Sequence, residues 1–378
     1  MRIGEDRQGT LDGLMAAIAD LVEDPRVKGL MVLACEGNHY PLSELEARLR
    51  QIEKPLFGGL FPRIVKGQEL WERGALVIGL SEAPRLKVIR NLSDPSVDLD
   101  EAVADAVDPL ASEDTLVVFV DGLTRRISNL ITALFENHGL QIGYIGGGAG
   151  SLTLEQQPCL LTQEGVLQDA AVLAQTCLRG GIGVGHGWEL FSDPIRVTDS
   201  ELNRIITLDY RPAIEVYREW VEPHYGKPIE PHGFFDAAKA YPFGIRRMDS
   251  EVVVRDPIAV QPDGSLICVG DVPAHAFVHI LHGRAESLIG AARAADARAA
   301  DARTAGAGST NNPPGLRLLI DCISRVLFLE DRFTEELAAI DDDIPMLGAL
   351  TLGEIANSGH DFLEFYNKTA VVGMFGKD

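Results

Sequence analysis

Thr115-Leu-Val-Val-Phe-Val120 and Ile142-Gly-Tyr-Ile-Gly-Gly-Gly148 are two short apolar runs on either side of a stretch with helical spacing. A continuous apolar run bounded by turn residues is typical of a buried strand. The stretch between them, 124–138, predicts a helix with Thr124 as its N-cap. After a polar gap, Ala170-Ala-Val-Leu-Ala-Gln175 predicts another strand. The unit is therefore strand, helix, glycine-interrupted strand, polar loop and strand.

The same order of elements occurs twice more. The earlier copy predicts strands at 28–35, 55–60 and 74–80 and a helix at 42–52, and the last copy predicts strands at 316–320, 345–353 and 369–375 and a helix at 329–340. Such units build layered α/β sheets with helices packed on a face. We therefore predict an α/β, two-part protein built from repeated strand–helix–strand–strand units with mixed sheets. Whether the repeats form one sheet or two stays open.

The region between the second and third copies has a different pattern. It predicts a strand at 202–208, a helix at 212–220, paired strands at 251–255 and 264–269, and an alanine-rich helix at 286–303. A stretch rich in Gly, Asn and Pro at about 304–315 predicts a flexible loop. Because 378 residues exceed one typical domain, we expect two, at 1–205 and 206–378.

Composition excludes several classes of protein. The formal net charge is −22, and such a surface is repelled by nucleic-acid phosphates and anionic membranes. No apolar run reaches the roughly 18 residues of a membrane span, and the first residues do not resemble a signal peptide. Five widely spaced cysteines contain no C-x-x-C pair, which is typical of buried free thiols in a reducing compartment. We expect a soluble cytoplasmic protein.

Several motifs carry a family resemblance by their order and spacing. Gly185-His-Gly-Trp188, Tyr241-Pro-Phe-Gly244, Asp321-Cys-Ile-Ser-Arg325 and Tyr366-Asn-Lys-Thr369 are the clearest of them. Together they resemble the FIST domain, a bacterial and archaeal signal-transduction module with N- and C-terminal halves. The resemblance implies a sensory module that binds small ligands such as amino acids.

The resemblance also implies partners. FIST relatives are often fused to, or encoded beside, histidine kinases, chemoreceptors or cyclic-dinucleotide enzymes, and some are described as haem proteins that sense nitric oxide. Since 378 residues leave no room for an output domain, we expect this chain to act through a separate partner.

Two glycine-rich segments are candidate ligand sites. Gly146, Gly147 and Gly148 could let a ligand approach the backbone, or could form a tight turn. His186 lies between two glycines and could reorient to ligate haem iron or bind a ligand carboxylate. The alternative is a loop histidine satisfied by backbone groups.

Four polar residues near the third copy could clamp an amino acid. Arg325 could bind a ligand carboxylate bidentately, Glu354 could bind its amine, and Asn367 and Thr369 could add neutral hydrogen bonds. For Arg325, the alternative is an ion pair with Glu354 or Asp321. No metal-ligand spacing is present in the sequence, so we expect no resident metal unless His186 binds haem.

Three functions remain open at this point. The first is a non-enzymatic ligand sensor, and the second is a haem-based nitric oxide sensor. The third is an α/β enzyme using Asp121 and Asp321, which close equivalent strands in two copies. Arg125 and Arg126 form a basic pair at a predicted helix start, where the helix dipole disfavours cations. The two side chains could bind a ligand or a partner, or could be exposed and hydrated.

Overall fold

The chain contains three copies of one unit and an inserted sheet. The computed structural model describes residues 2–107, 114–140, 142–246, 252–305, 313–340, 343–357 and 362–376. Repeat 1 consists of β1 (Arg2–Asp6), α1 (Leu11–Val22), β2 (Gly29–Cys35), α2 (Leu42–Leu49), β3 (Leu56–Phe61), β4 (Arg63–Lys66), β5 (Glu69–Trp71) and β6 (Ala75–Leu80).

Repeat 2 has the same element order. It consists of β7 (Arg85–Arg90), α3 (Leu99–Val103), β8 (Thr115–Asp121), α4 (Ile127–His138), β9 (Gly143–Ala149), β10 (Leu160–Thr162), β11 (Gly165–Leu167) and β12 (Ala170–Thr176). Both repeats are therefore longer than the sequence units, because each begins with an additional strand and helix.

Repeat 3 begins with β13 (Gly180–Gly185) and is then interrupted by an insertion. The insertion consists of β14 (Glu189–Leu190), β15 (Ile195–Glu201), β16 (Arg204–Leu208), β17 (Arg211–Pro212), α5 (Ala213–Tyr225), α6 (Phe234–Ala238), β18 (Phe243–Arg246), β19 (Val252–Val260), β20 (Leu266–Val269) and β21 (Phe277–His282). Repeat 3 then continues with α7 (Ala285–Ala305), β22 (Pro314–Cys322), α8 (Ile323–Leu329), α9 (Phe333–Ile340), β23 (Met346–Thr351), β24 (Glu354–Asn357), β25 (Leu363–Tyr366) and β26 (Ala370–Gly376).

Three equivalent mixed sheets are built by exchange of hairpins between repeats. Their strand orders are β1-β6-β2-β3-β10-β11, β7-β12-β8-β9-β24-β25 and β13-β26-β22-β23-β4-β5. The last two strands of each sheet come from another repeat: repeat 2 supplies the hairpin of sheet 1, repeat 3 that of sheet 2, and repeat 1 that of sheet 3. This cyclic exchange closes the repeats into a ring with pseudo-threefold symmetry. The predicted α/β class and mixed sheets are confirmed, and the open question is answered: each repeat has its own sheet, and the insertion forms a fourth.

One glycine recurs at the same register of each sheet. A Cβ atom there would lie 1.9–2.4 Å from a carbonyl oxygen of the neighbouring parallel strand, which is closer than real Cβ contacts. The glycine interruption of each repeat is therefore a packing requirement. The equivalent pairs are Gly58 with Val32, Gly146 with Val118, and Gly348 with Leu319.

The apolar core lies where the three sheets face one another. One cluster takes buried residues from every repeat sheet, among them Phe61, Phe119 and Leu318. The rings of Phe61 and Phe119 meet edge to face with centroids 5.2 Å apart. Helices cover the outer faces, as α7 and α9 do on sheet 3. Because both faces of each sheet are buried, the central strands are continuously apolar.

Two predicted elements differ from the structure. Thr124 is not an N-cap: α4 begins at Ile127, its N-cap is Arg126 at φ 66°, and the Thr124 hydroxyl donates to the Asp169 carboxylate instead. The predicted helix at 329–340 begins only at Phe333, as α9, because α8 ends at Leu329 and Glu330 adopts φ 52°. Four of the five cysteines are buried, as predicted, and Cys177 is partly exposed.

Two further predictions concern connections. Of the predicted flexible loop at 304–315, the ends belong to α7 and β22, and residues 306–312 lie outside the described residues. The division at residue 205 stays a prediction, and this position lies within β16 of the inserted sheet. Among the described residues, no helix is long and apolar enough to cross a membrane.

The close approach at the recurring glycine leads to a stability prediction. Gly146→Ala should lower the free energy of unfolding by about 3 kcal/mol, the upper part of the range for overpacking, since the new Cβ meets the Val118 carbonyl. Gly290→Ala is the matched control, because Gly290 lies exposed in α7 and an added methyl group would have nothing within 4 Å. The Gly290→Ala variant should have a free energy of unfolding about 0.5–1 kcal/mol higher than the parent protein. Urea unfolding followed by circular dichroism measures both, and equal stabilities would contradict the packing argument.

Candidate functional site

The ends of the parallel strands β2, β8 and β22 are equivalent positions of the three repeats. Counted from the recurring glycine pairs, Cys35, Asp121 and Cys322 occupy the same register. Asp321 corresponds to Val120, so its side chain points to the other face of its sheet. The two aspartates of the enzyme hypothesis therefore lie at the ends of equivalent strands but at different registers.

At the end of β22, the predicted carboxylate clamp is occupied by the protein itself. Arg325 is fully buried and forms ion pairs with Glu336 and Asp321. Its remaining N–H groups donate to the carbonyl oxygens of His186, Leu288 and Lys368. Because all five guanidinium N–H groups have protein acceptors, Arg325 has no donor left for a ligand carboxylate. The alternative of an ion pair with Asp321 describes what the structure contains.

Glu354 lies in the same buried cluster. Thr351 Oγ1 is 3.2 Å from the Asp321 carbonyl oxygen and 2.9 Å from Glu354 Oε1. The Thr351 hydroxyl donates to Glu354 Oε1, which is the nearer of the two acceptors. Burial raises the pKa of Glu354 to about 8, which favours the protonated form. A neutral Glu354 is a poor partner for a ligand ammonium group.

Thr369 and Asn367 lie beside Glu354, as the clamp prediction required. The Thr369 amide donates to Glu354 Oε2 over 3.2 Å, and the Thr369 hydroxyl donates to the Asn367 carbonyl over 2.8 Å. Asn367 Nδ2 donates to the Tyr366 carbonyl, and both Asn367 and Thr369 are buried. The predicted residues do converge, but they form an internal polar network rather than an open site.

Gly146, Gly147 and Gly148 face backbone atoms on both sides. Strand β9 pairs with β8 on one side and with β24 on the other. A Cβ on Gly147 would lie 2.5 Å from the Gly353 oxygen, and one on Gly148 would lie 2.6 Å from the Leu352 oxygen. The chain of repeat 3 thus fills the space that a ligand would need, and packing accounts for these glycines.

His186 does not have the mobility expected of it. A Cβ on either flanking glycine, Gly185 or Gly187, would lie 2.4 Å from a carbonyl oxygen of α7, so this loop is held against the helix. The Trp188 amide donates to His186 Nδ1, and burial with the nearby Arg325 lowers the pKa of His186 to about 4. A neutral imidazole is a suitable iron ligand, but the loop is packed against α7 where a flat macrocycle would need room. The arrangement does not fit a haem.

Lys368 is a buried residue that the sequence did not indicate. Its Nζ donates to the Lys239 carbonyl over 3.0 Å, is 3.2 Å from an Asp256 carboxylate oxygen, and lies 5.0 Å from the centre of the Trp188 ring. Lys239 and Asp256 belong to the insertion, so Lys368 attaches the insertion to repeat 3. A lysine between a polar turn and a strand reads as exposed, and only its place in the Tyr366-Asn-Lys-Thr369 motif could have indicated otherwise.

An open cavity of about 260 Å³ lies between repeats 1 and 2, at the ends of β2 and β8. We call it the strand-end cavity. Among its described lining residues are three carboxylates and no lysine or arginine. Apart from Asp121, sequence analysis did not single out these residues, although a polar segment after a buried strand was a signal that could have found them. Its polar lining comes from Glu36, His39, Tyr40, Asp121, Ser151, Glu155 and Gln157.

The polar groups of the strand-end cavity differ in how far they are satisfied. Asp121 accepts from the Leu123 and Asp169 amides and from Gln156 Nε2, so it is largely structural. Glu36 accepts from the Ser151 hydroxyl over 3.0 Å. The Tyr40 hydroxyl accepts from Asn38 Nδ2 over 2.8 Å, and burial raises the pKa of Tyr40, so its proton is available for donation. The cavity offers carboxylate acceptors and one hydroxyl donor.

Family comparison agrees with the motif resemblance. The chain matches the FIST N domain over residues 29–211 and the FIST C domain over residues 213–357. The protein belongs to the FIST family. FIST domains are associated with sensory signal transduction and small-ligand binding. No curated protein matches the chain. The two FIST matches meet inside the insertion, so strands of both matched segments build sheets 2 and 3.

The raised pKa of Glu354 leads to a pH prediction. In the folded protein the Glu354 carboxyl group keeps its proton up to about pH 8. In the unfolded chain it loses the proton near pH 4.3. The folded state therefore binds more protons between these values, and stability falls as pH rises, by up to about 1.4 kcal/mol per pH unit. Glu354→Gln should remove this component of the pH dependence.

Urea unfolding between pH 5 and 8 measures the effect, at about one-unit steps. Glu53→Gln is the control, because Glu53 is exposed in repeat 1 and its replacement should leave the slope of the parent protein. If Glu354→Gln and the parent protein show the same slope, Glu354 is ionised in the folded state and our account of the network is wrong.

Proposed function

We propose that this FIST protein is a cytoplasmic, non-enzymatic sensor that binds a small molecule in the strand-end cavity and signals through a separate protein. The observation that carries the proposal is the position and openness of this cavity. It lies at the carboxyl ends of parallel strands, where open α/β sheets bind ligands. At about 260 Å³ it suits a molecule of amino-acid size.

The charge of the lining favours a ligand with an amine. Glu36, Asp121 and Glu155 line the cavity without a compensating lysine or arginine among its described residues. An ammonium group gains Coulomb energy beside these carboxylates, and the gain is larger in a partly enclosed cavity than in water. The Tyr40 hydroxyl can donate to a ligand oxygen. A free amino acid is the simplest molecule that meets both requirements.

The internal network at Arg325 supports a division of roles. The equivalent strand end of repeat 3 is filled by buried ion pairs, of which Lys368–Asp256 connects the insertion with the ring, whereas the strand-end cavity is open. Ligand binding and attachment of the insertion thus occupy equivalent positions of one ring. This arrangement gives a ligand in repeats 1 and 2 a structural route to the insertion.

The insertion is our candidate for the output surface. Tyr210 and Phe277 project from it with 79% and 58% of their surface exposed, and exposed aromatic side chains are common at protein interfaces. The partner is a histidine kinase, a chemoreceptor or a cyclic-dinucleotide enzyme, as the resemblance to FIST relatives implies. Ligand-dependent affinity of the purified pair, lost in Tyr210→Ala/Phe277→Ala, would support this output. Unchanged affinity in the double variant would contradict it.

The ligand proposal is tested by thermal unfolding against amino acids and other small amines. A ligand at 100 times its Kd adds about 2.7 kcal/mol to the stability of the folded state, so at least one amine should raise Tm measurably. Glu36→Gln should reduce that shift by half or more, because it removes a cavity carboxylate. Glu53→Gln removes the same charge from an exposed position of repeat 1 and should keep the full shift. A panel without any response, or a full shift in Glu36→Gln, would refute the proposed site.

A further inference from the structure

A second cavity, of about 300 Å³, lies between repeat 2 and the inserted sheet. We call it the insertion cleft. Residues 122–128, between β8 and α4, form one wall, and Asn203, Ile258 and Asp271 belong to the other. Cavities at the junction of two structural units are a common place for small-molecule sites.

The pseudo-threefold symmetry relates this cleft to the strand-end cavity. Since Asp121 and Cys35 share one register, residues 122–128 correspond to 36–42, the segment from Glu36 to Leu42 that lines the first cavity. The third equivalent segment is 323–329, where Arg325 is buried. The equivalent segment therefore lines an open cavity in repeats 1 and 2, whereas in repeat 3 the protein's own side chains fill the corresponding space.

The two cavities have opposite charge. Among its described lining residues, the insertion cleft has Arg125, Arg126 and a single carboxylate, Asp271. Arg126 donates to the carbonyl oxygens of Asp94 and Val97, so it is engaged. The Arg125 guanidinium has no hydrogen bond or ion pair with any residue that the structure describes. Arg125 is therefore a cation at the cleft that is available to an anion.

In repeat 3, the equivalent segment 323–329 binds a side chain of the protein itself. There the guanidinium of Arg325 pairs with the carboxylate of Glu336, and both side chains are fully buried. Arginine and carboxylate form paired hydrogen bonds of matching geometry. In repeat 2 the guanidinium comes one residue later, and no carboxylate among the described residues pairs with it.

Part of the cleft lining is apolar. Ile258, Val269 and Phe365 line it beside the arginine, and Phe365 is buried. An apolar group would gain from leaving water here, while a second charged group would not. We propose that the insertion cleft binds a small monocarboxylate with an apolar body, and that its carboxylate pairs with Arg125. This second site is independent of the amine proposed for the strand-end cavity.

Titration calorimetry with benzoate tests the proposal, with the uncharged benzamide as the matched probe. Benzoate should bind and benzamide should not, because only benzoate offers a carboxylate. Arg125→Gln should weaken benzoate binding about tenfold, which is about 1.4 kcal/mol. Arg293→Gln is the control, since Arg293 is exposed on α7, and it should bind benzoate like the parent protein.

Glu36→Gln separates this site from the strand-end cavity. It should leave benzoate binding unchanged, whatever it does to amines. The proposal is overturned if benzoate does not bind at about 10 mM, if benzamide binds equally well, or if Arg125→Gln binds benzoate with parental affinity. Loss of benzoate binding in Glu36→Gln would place the carboxylate in the other cavity and would also overturn it.

Discussion

The exchange of hairpins between repeats is the constraint on which the rest of the molecule depends. Each glycine-interrupted strand pairs on one side with a parallel strand of its own repeat and on the other with a hairpin from another repeat. No repeat can complete its sheet alone, so the three sheets form together around one apolar core. The same exchange brings the ends of β2 and β8 to a single cavity, because the segment leading to hairpin β10–β11 crosses from repeat 2 to repeat 1.

The strand end of repeat 3, at the end of β22, contains a network of buried charged residues. Asp256, Asp321, Glu336 and Glu354 lie there, and the buried cations that pair with them are Arg325 and Lys368. Burial raises the pKa values of Asp256, Asp321 and Glu354, because desolvation disfavours their charged forms. A buried ion pair contributes little net stability, because desolvation offsets the Coulomb attraction. We therefore interpret this network as a device that fixes the position of the insertion, and the open strand ends as the places for ligands.

Sequence alone predicted most of the local structure, because each central strand is an apolar run with a glycine at a fixed place. It could not predict the hairpin exchange, since the short strands β4 and β24 carry no local signal of the sheet they join. The clamp prediction grouped residues that do lie close together, namely Arg325, Glu354, Asn367 and Thr369. Their burial could not be predicted, because Glu336, which forms an ion pair with Arg325, lies in another helix. Thr124 was wrongly predicted as an N-cap, because its hydrogen bond to Asp169 joins residues far apart in the sequence and no local pattern shows it. The polar segment after β2, with Glu36 and Tyr40, carries no motif and was missed.

The central claim is that equivalent strand ends of one ring are open in repeat 1 and filled in repeat 3. Hydrogen–deuterium exchange of the intact protein, followed peptide by peptide, tests it most directly. Our account predicts exchange close to the global unfolding limit for residues 321–326, where Arg325 is buried, and faster exchange for 36–41 beside the strand-end cavity. Rapid exchange at 321–326, or equal protection of the two segments, would contradict it.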